Sequence, residues 1–343
     1  MAELRKSWRV IPKAGSFNNL HLVEEELQLP GKGEVLVDVK ALGLNFADIF
    51  AIFGLYSATP KGSFIPGLEF SGIVRATGEG VDQLKEGQRV MGVSRFGAYT
   101  TVISTKQEYL IPLPDEWTME EGAAYLVQVL TAWYGLVDLG NIKKGATVLI
   151  QSAAGGVGIW ANRIARSFGA YTIGAVGSES KLKILEEEAY DKGIVRDRNF
   201  GANLRNALGD RELNIVMECI GGDILMESYK QMAMEGRLIV YGSARYAQPG
   251  SSPNRLKLLW KYFQSPKIDP QRMIEQNKSI MGFNLIYLFN NSDKMWSILS
   301  ELNQRDIGIP LVGHRFVFED LRLALELFLS GKTTGKVVVT TPS

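Results

Sequence analysis

The sequence contains very few of the side chains that bind transition metals or form disulfides. Its single cysteine is Cys219, and its two histidines, His21 and His314, lie far apart in the chain. A disulfide within the chain is therefore excluded. A conventional zinc site needs three or four ligands, mainly cysteine and histidine, so no metal site is expected and both histidines are interpreted as surface or core residues. Cys219 ends an apolar stretch and is expected to be buried and inert.

The sequence also lacks an excess of either charge and a long apolar stretch. Its 38 Lys and Arg residues against 37 Asp and Glu residues give a net charge of +1, which provides no bulk attraction to nucleic acid or an anionic membrane. Residues 1–10 are charged and predict no secretory signal. The uncharged stretch at residues 122–137 is too short for a bilayer span and predicts a buried helix. We expect a cytoplasmic protein with no integral membrane segment and no nucleic-acid partner.

The length of 343 residues predicts two domains. Before residue 110, apolar and polar residues alternate in short stretches between Gly-rich turns, which predicts a β-rich domain with strands at residues 34–41, 67–77 and 88–92. From Thr131 onwards, apolar strands alternate with helical stretches. This alternation is typical of a doubly wound parallel sheet. The predicted strands are 147–151, 171–176, 214–219 and 237–242, and the predicted helices are 156–168, 180–190 and 224–233.

The last part of the chain completes both predicted domains. Residues 247–278 predict a helix and a loop with one apolar face, and residues 279–289 predict one more strand. After residue 293, two helices and a final strand at residues 336–340 are expected to pack on the first domain. The prediction is an α/β fold in which a dinucleotide-binding domain, residues 127–290, is inserted into a catalytic domain, residues 1–126 and 291–343.

The stretch from Ala146 to Gly158 (ATVLIQSAAGGVG) is the strongest single indication of function. An apolar strand runs into small residues and glycines, and an amphipathic helix follows at once. Ala153 stands where the first glycine of a G-x-G-x-x-G fingerprint would be. Such a turn brings backbone N–H groups and the positive end of the helix dipole close to a pyrophosphate. The turn predicts dinucleotide binding by Ala154, Gly155, Gly156 and Val157.

Five motifs are spread along the chain: GLNFAD (43–48), GLY (54–56), PGLEFSG (66–72), EGVDQLKEGQRV (79–90) and SAAGGVG (152–158). Together they resemble the medium-chain dehydrogenase/reductase superfamily, in its zinc-free quinone oxidoreductase branch. The later stretches NIVMECIGG (214–222), GRLIVYGSA (236–244) and NKSIMGFNLIYLF (277–289) most resemble its vesicle amine transport protein 1 subgroup. The resemblance implies a GroES-like catalytic domain, a Rossmann domain and a homodimer formed through the edge strand near residues 279–289. Zinc-dependent relatives carry Gly-His-Glu where this chain has Gly67-Leu68-Glu69.

The resemblance also implies which side chains meet the substrate and the nicotinamide. Asn45 matches an active-site asparagine that binds the substrate oxygen or the cofactor amide. Tyr56 matches the proposed proton donor of related enoyl-thioester reductases, and anchoring of its loop is the alternative role. Thr131 is implied at the nicotinamide. Phe283 and Leu285 line the nicotinamide pocket or simply pack in the core.

Other features of the sequence concern the edge of the sheet and the mouth of the cleft. Ligands of open α/β sheets bind beyond the carboxyl ends of the strands, which favours as binding residues Gly221, Gly222, Tyr241, Gly242 and Ser243.

Simple quinone reductases have a tyrosine in place of Phe50 and an arginine near it in place of Ile52. With Phe53, these changes predict a more apolar cleft mouth, which disfavours small polar quinones.

The end of the second strand of the dinucleotide domain distinguishes the two nicotinamide cofactors. NAD-binding proteins usually place an acidic residue there to hold the ribose 2′-hydroxyl. Here the strand ends in Gly177, and Ser178 and Lys181 can face a 2′-phosphate, as in NADPH-dependent relatives. Glu179 opposes this assignment. Asp197 stands where those relatives often have a tyrosine beside the adenosine, although Arg196 and Arg198 flank it. The cofactor is predicted to be NADPH.

Three functions remain open at this point. Without zinc to polarise a carbonyl, the acceptor must take hydride readily, which favours quinones and similar conjugated carbonyls, reduced by NADPH. A second possibility is an enoyl-thioester or alkenal reductase with Tyr56 as proton donor. A third is a low-turnover NADPH-binding protein that associates with vesicles or lipid, for which the aromatic and basic residues 256–263 are the feature to follow.

Overall fold

The computed structural model describes residues 3–342. Its first part is rich in strands, because apolar and polar residues alternate there. The strands of this part are β1 (Leu4–Val10), β2 (Leu20–Glu26), β3 (Glu34–Gly43), β4 (Glu69–Thr77), β5 (Arg89–Val93), β6 (Val102–Lys106) and β7 (Leu110–Pro112). The helices are α1 (Phe46–Ile52) and α2 (Met119–Gly122). The predicted strands 34–41, 67–77 and 88–92 are therefore present, each within two residues of its predicted ends.

The middle of the chain alternates helices with strands of a single parallel sheet. The helices are α3 (Leu126–Trp133), α4 (Gly156–Ser167), α5 (Leu182–Glu187), α6 (Phe200–Leu208), α7 (Gly222–Gln231), α8 (Arg255–Phe263) and α9 (Pro270–Gln276). The strands are β8 (Thr147–Gln151), β9 (Tyr171–Val176), β10 (Lys192–Val195), β11 (Leu213–Glu218), β12 (Met232–Val240) and β13 (Ser279–Gly282). They are ordered β10-β9-β8-β11-β12-β13, and all their pairings are parallel.

The end of the chain joins the first sheet. It forms α10 (Ser292–Leu302), β14 (Val312–Val317), α11 (Leu321–Leu329) and β15 (Lys336–Thr340). β15 pairs with β3, which gives a seven-stranded sheet with the order β14-β15-β3-β4-β5-β7 and with β6 paired to β3. The α/β fold with a GroES-like β-rich part and a Rossmann part is thus confirmed, while the exact domain limits at residues 126/127 and 290/291 stay a prediction.

One predicted element is wrong in its second half. Residues 279–289 do not form a single strand, because β13 ends at Gly282 and a 3₁₀ helix covers Leu285–Asn290. Leu285, Ile286 and Phe289 are buried in that helix. Their spacing of one and four residues fits one face of a helix, and the apolar composition alone could not separate this from a strand.

The uncharged stretch 122–137 forms the buried helix that the sequence predicts. Every residue of α3 is buried, and a π-helical segment, Tyr134–Leu139, extends it. α3 packs on α4 between the two sheets. In residues 3–342 no helix is long and apolar enough to cross a membrane.

Candidate functional site

A cleft of about 1120 Å³ lies between the two sheets and is lined by residues of both. It brings together most of the residues that the sequence predicts. These are Asn45, Tyr56, Thr131, Ala154, Gly155, Gly156, Val157, Gly177, Lys181, Tyr241, Gly242, Ser243, Phe283 and Leu285. Ser178, Gly221 and Gly222 do not line it, and neither histidine does. The binding roles of all these residues stay predictions.

The glycine turn connects β8 to α4 in the geometry expected for a phosphate-binding turn. A Cβ on Gly158 would lie 2.5 Å from the carbonyl oxygen of Ser152 and 2.7 Å from Cα of Ala153, so only glycine lets the helix pack this closely on the turn. Among the described residues, the N–H groups at the start of α4, on Gly156 and Val157, have no hydrogen-bond acceptor. The helix therefore presents free donors and its positive end to the cleft, which fits a pyrophosphate.

The floor of the cleft is a buried hydrogen-bond network centred on Asn45. Its Nδ2 donates to Glu69 Oε1 at 3.0 Å and to the carbonyl of Gly43 at 3.3 Å. Its Oδ1 accepts from Gln128 Nε2 at 3.0 Å and from Lys336 Nζ at 2.9 Å. Both amide hydrogens of Asn45 are thus used inside the protein. To donate to a substrate, as the sequence predicts, Asn45 would have to give up one of these partners.

Glu69, the last residue of the stretch Gly67-Leu68-Glu69, is paired with the ammonium group of Lys336. Its carboxylate forms an ion pair with Lys336 and accepts from Gln128 Nε2 at 2.7 Å and from the backbone N–H of Val127 at 3.1 Å. Burial lowers the pKa of Lys336, and the nearby Glu69 carboxylate opposes this shift. Leu68 beside it is buried. Within residues 3–342, no three His, Cys, Asp or Glu side chains are grouped so that they could hold a metal ion.

Two buried oxygen atoms of this region have unusual surroundings. Asp48 Oδ2 accepts from the backbone N–H of Asn45 at 2.8 Å and from the Tyr99 hydroxyl at 2.9 Å, and burial raises the pKa of Asp48 to about 7. Gln128 Oε1 is buried and has no partner in the described part of the chain. Gln128 lines the cleft beside the glycine turn, since a Cβ on Gly156 would lie 2.9 Å from its Cγ. Its oxygen is an acceptor available to an N–H group of a ligand.

Tyr56 reaches across the cleft to the other sheet. Its hydroxyl donates to Asn284 Oδ1 at 2.5 Å, and burial raises the pKa of Tyr56 to about 12. Phe283, next to Asn284, packs between two tyrosine rings: it meets Tyr134 edge-to-face with centroids 5.1 Å apart and stacks on Tyr241 with centroids 6.3 Å apart. This end of the cleft therefore combines aromatic faces with one protonated hydroxyl.

The far end of the cleft contains two cationic side chains, Lys181 and Arg196. Lys181 Nζ donates to the carbonyl groups of Gly331 and Thr333, both at 2.7 Å, and Arg196 Nη1 donates to the carbonyl of Ala175 at 2.8 Å. Burial and the neighbouring guanidinium of Arg196 lower the pKa of Lys181. None of the ion pairs found in residues 3–342 involves either cation, so both can still pair with an anion.

Near this end the structure places Asp197 and Glu179 outside the cleft lining and corrects the expected burial of Cys219. Arg196, not Asp197, lines the cleft, and Asp197 Oδ1 instead accepts from the backbone N–H of Asn199 at 2.8 Å. Glu179 is exposed and does not line the cleft. Cys219 is half-buried rather than buried and lines the cleft, although burial of its thiol raises the pKa of Cys219, as expected for an unreactive thiol.

Some residues of the cleft were missed by sequence reasoning. Gln128 is an amide residue within a buried and mostly apolar helix, and this pattern is a usable signal. Asn284 lies between the two residues that were named. Ile52, in contrast, is fully buried and lies outside the lining, whereas Phe50 and Phe53 belong to it.

The helix α8 borders the cleft with one side and is exposed on the other. Leu258, Leu259 and Tyr262 line the cleft. Leu256, Trp260 and Phe263 are 79%, 62% and 73% exposed and follow each other at helical spacing. No residue of α8 is buried. This helix therefore presents an apolar stripe that nothing in the described residues covers.

Most of the chain is similar to known dehydrogenases and reductases. Residues 31–115 match the alcohol dehydrogenase GroES-like domain, and residues 156–301 match the family described as zinc-binding dehydrogenase. The chain is 30% identical to the synaptic vesicle membrane protein VAT-1 homolog of Mus musculus, over 90% of this chain and 77% of the relative. It is 32% identical to quinone oxidoreductase-like protein 2 of Mus musculus, over 90% of this chain and 85% of the relative.

One solved structure with a similar fold was determined in complex with a nicotinamide cofactor. The quinone oxidoreductase of Thermus thermophilus, determined also as its complex with NADPH, superposes with a TM-score of 0.78 at 28% identity, over 98% of this chain and 99% of that chain. The free donors of the glycine turn fit the dinucleotide that such proteins bind. The chain therefore belongs to the medium-chain dehydrogenase/reductase superfamily, as an oxidoreductase with a nicotinamide cofactor.

Proposed function

We propose that the protein is an NADPH-dependent reductase of quinones or similar conjugated carbonyls and that it works without zinc. The observation that carries this proposal is that the buried Glu69 carboxylate is already paired with a cation of the protein. Its charge is balanced by Lys336 inside the protein, and Asp48 is fully buried and, like Glu69, does not line the cleft. Neither carboxyl group therefore reaches the cleft to deprotonate an alcohol. An acceptor that is electrophilic through conjugation needs no such base.

The residues of the cleft would share the work as follows. The glycine turn and α4 hold the pyrophosphate, and Gln128 Oε1 accepts from an amide N–H of the cofactor. The cofactor, when bound, supplies the hydride. Tyr56, with a pKa of about 12, stays protonated at neutral pH and can donate its hydrogen. The aromatic rings around Phe283 exclude water from the reacting atoms.

Lys181 and Arg196 support NADPH over NADH. Two cations without a carboxylate partner, Lys181 after β9 and Arg196 after β10, provide a site for a 2′-phosphate. Each of the two forms its hydrogen bonds to neutral acceptors of the protein. A phosphate would therefore add charged hydrogen bonds without breaking an ion pair.

The decisive experiment is a turnover screen of the purified protein. NADPH and NADH are each offered with quinones, 2-alkenals and enoyl thioesters, and cofactor oxidation is followed at its absorption band. We expect NADPH oxidation with quinones. Tight NADPH binding without turnover on any acceptor would contradict the proposal.

Reduction of enals or enoyl thioesters is the second candidate, and the position of Tyr56 at the cleft favours it. In this reaction Tyr56 gives its proton to the α-carbon after hydride has reached the β-carbon. Substitution Tyr56→Phe separates the two candidates. A large loss with enals, with quinone turnover retained, would favour the second.

A lipid-associated protein with little turnover is the third candidate, and α8 is the observation that favours it. Its apolar stripe is exposed, and its charged residues, Arg255, Lys257 and Lys261, are all basic. This combination is typical of helices that lie on anionic membranes. Sedimentation with vesicles that contain phosphatidylserine, lost in the variant Trp260→Ser/Phe263→Ser, together with absent turnover would favour this function.

We further propose a homodimer and a cytoplasmic location. β13 is the last strand of its six-stranded sheet, and its outer side pairs with no other strand of residues 3–342. Two such edges can join into one continuous sheet. Light scattering of the purified protein would give its mass, and fluorescence microscopy of a tagged chain would give its location.

A further inference from the structure

Asn284 occupies a special place at the mouth of the cleft. It follows β13 and precedes the 3₁₀ helix Leu285–Asn290, so its backbone is held on both sides by regular structure. Its side chain lines the cleft, and its Oδ1 accepts the hydrogen of the Tyr56 hydroxyl at 2.5 Å. This hydrogen bond joins the two halves of the molecule, since Tyr56 follows α1 in the catalytic part.

The hydrogen bond from Tyr56 also fixes the orientation of the Asn284 amide. Once Oδ1 is assigned to the tyrosine, the two N–H groups of Nδ2 point away from it. No hydrogen bond in the described part of the chain uses Asn284 Nδ2. Asn284 thus presents oriented and uncommitted donors at the cleft.

Asn45 differs in this respect. Its two amide hydrogens are donated to Glu69 and to the carbonyl of Gly43, and its oxygen accepts from Gln128 and Lys336. Breaking one of these bonds would leave a buried charged or polar group without its partner, which costs about 1–3 kcal/mol. Donating a hydrogen bond to a substrate therefore costs less free energy at Asn284 than at Asn45.

We propose that Asn284 is a catalytic residue whose side-chain N–H donates to the carbonyl oxygen of the substrate, with Tyr56 as the residue that positions it. This inference rests on the proposed reduction of conjugated carbonyls. Hydride from the cofactor brings two electrons to the acceptor, negative charge develops on the carbonyl oxygen, and a proton from Tyr56 or water completes the reduction. A fixed donor aimed at that oxygen stabilises the transition state more than the ground state.

The test uses a chromophoric conjugated aldehyde, 4-(dimethylamino)cinnamaldehyde, bound to the full-length protein with NADP⁺, which cannot reduce it. A hydrogen bond to its carbonyl oxygen shifts its absorption to longer wavelength. We expect a red shift with the wild type and its loss in Asn284→Ala and Asn284→Asp. The aspartate still accepts from Tyr56 but has no N–H to donate.

Two further variants separate donation from a merely structural contact. Tyr56→Phe removes the hydrogen bond that orients the Asn284 amide but leaves the amide itself, so the red shift should be smaller than in the wild type but not lost. Asn290→Ala is the matched control: Asn290 lies in the same 3₁₀ helix and accepts from Arg95 Nη1 across the halves at 2.8 Å, but it does not line the cleft. An unchanged shift in both Asn284 variants, or no shift in the wild type, would overturn the proposal.

Turnover distinguishes failure of this inference from failure of the proposed function. If quinones are reduced, Asn284→Ala should lower kcat about 10²–10³-fold, the effect of removing one oxyanion donor, and Asn290→Ala should leave kcat unchanged. Wild-type kcat in Asn284→Ala would refute the role of Asn284 while the reductase function stands. If no acceptor is reduced, the function fails, and the red shift still decides whether Asn284 binds a carbonyl.

Discussion

The two ends of the cleft use charged side chains in opposite ways. At the floor, Lys336 and Glu69 are 4% and 1% exposed and pair with each other within a network that uses every polar atom of the Asn45 side chain. At the far end, Lys181 and Arg196 are bound only by neutral acceptors. The first arrangement fixes a geometry, and the second leaves charge available to a ligand.

The difference follows from the cost of burying charge. A buried ion pair contributes little net stability, but removal of one partner leaves an uncompensated charge in a medium of low polarity. A half-buried cation at a cleft edge keeps part of its hydration, so it needs no carboxylate partner within the protein and can form an ion pair with the ligand. Mutations at the floor should therefore lower the free energy of unfolding, whereas mutations at the far end should weaken cofactor binding.

The largest effect is expected for Lys336→Met. The substitution leaves the Glu69 carboxylate buried without its cation, and the free energy of unfolding should fall by about 3–5 kcal/mol. Denaturation by urea measures this change. Lys332→Met, at an exposed lysine in the loop just before β15, is the control. The double variant Lys336→Met/Glu69→Gln should recover most of the loss, and a double variant as unstable as Lys336→Met alone would refute the argument from charge.

The pH dependence of stability gives a second, smaller test of the floor. The pKa of Asp48 is raised to about 7 by burial, whereas an aspartate of the unfolded chain has a pKa near 4. Between these values the folded protein binds more protons than the unfolded chain, so this group lowers stability as the pH rises, by up to about 1.4 kcal/mol per pH unit.

Asp48→Asn should flatten this dependence. The amide oxygen can still accept from Asn45 and Tyr99, and no titrating group remains at the position. Urea denaturation at pH 5 and pH 7 should show a smaller difference for the variant than for the wild type. Asp82→Asn, at an exposed position, should leave the difference as it is. Equal differences for Asp48→Asn and the wild type would show that Asp48 is already ionised at pH 5.

The sequence predicts those parts of the molecule that obey local rules. The glycine turn, the helix α4 and the parallel strands are repeated patterns of a few residues, and the structure has them at the expected places. The end of β13 was predicted wrongly, because Leu285, Ile286 and Phe289 suit a buried strand and a buried 3₁₀ helix equally well by composition.

The polar contacts of the site could not be predicted, because they join distant parts of the chain. Lys336 and Glu69 are 267 residues apart, and Tyr56 and Asn284 are 228 residues apart. No local pattern pairs them. The sequence indicated Asn45 and Tyr56 as site residues by resemblance, but their partners decide what each amide or hydroxyl can still donate, and these become visible only when the two sheets face each other.

The smallest of the three effects is expected at the far end of the cleft. Lys181→Ala removes one charged hydrogen bond to a 2′-phosphate, which is worth roughly 1.5–3 kcal/mol before the loss is reduced by solvent. The ratio of the KM for NADPH to the KM for NADH should therefore rise about tenfold, with little change in the free energy of unfolding. Steady-state kinetics with both cofactors measures the ratio, and Lys183→Ala, at an exposed lysine two residues further on, is the control.

Arg196→Ala should change the ratio in the same direction, since the Arg196 guanidinium lies beside Gly177. Its Nη2 is 3.5 Å from the position that a Cβ on Gly177 would occupy. If both variants change the KM of NADPH and NADH equally, the two cations stabilise the loop rather than select the phosphate, and the two ends of the cleft would be alike after all.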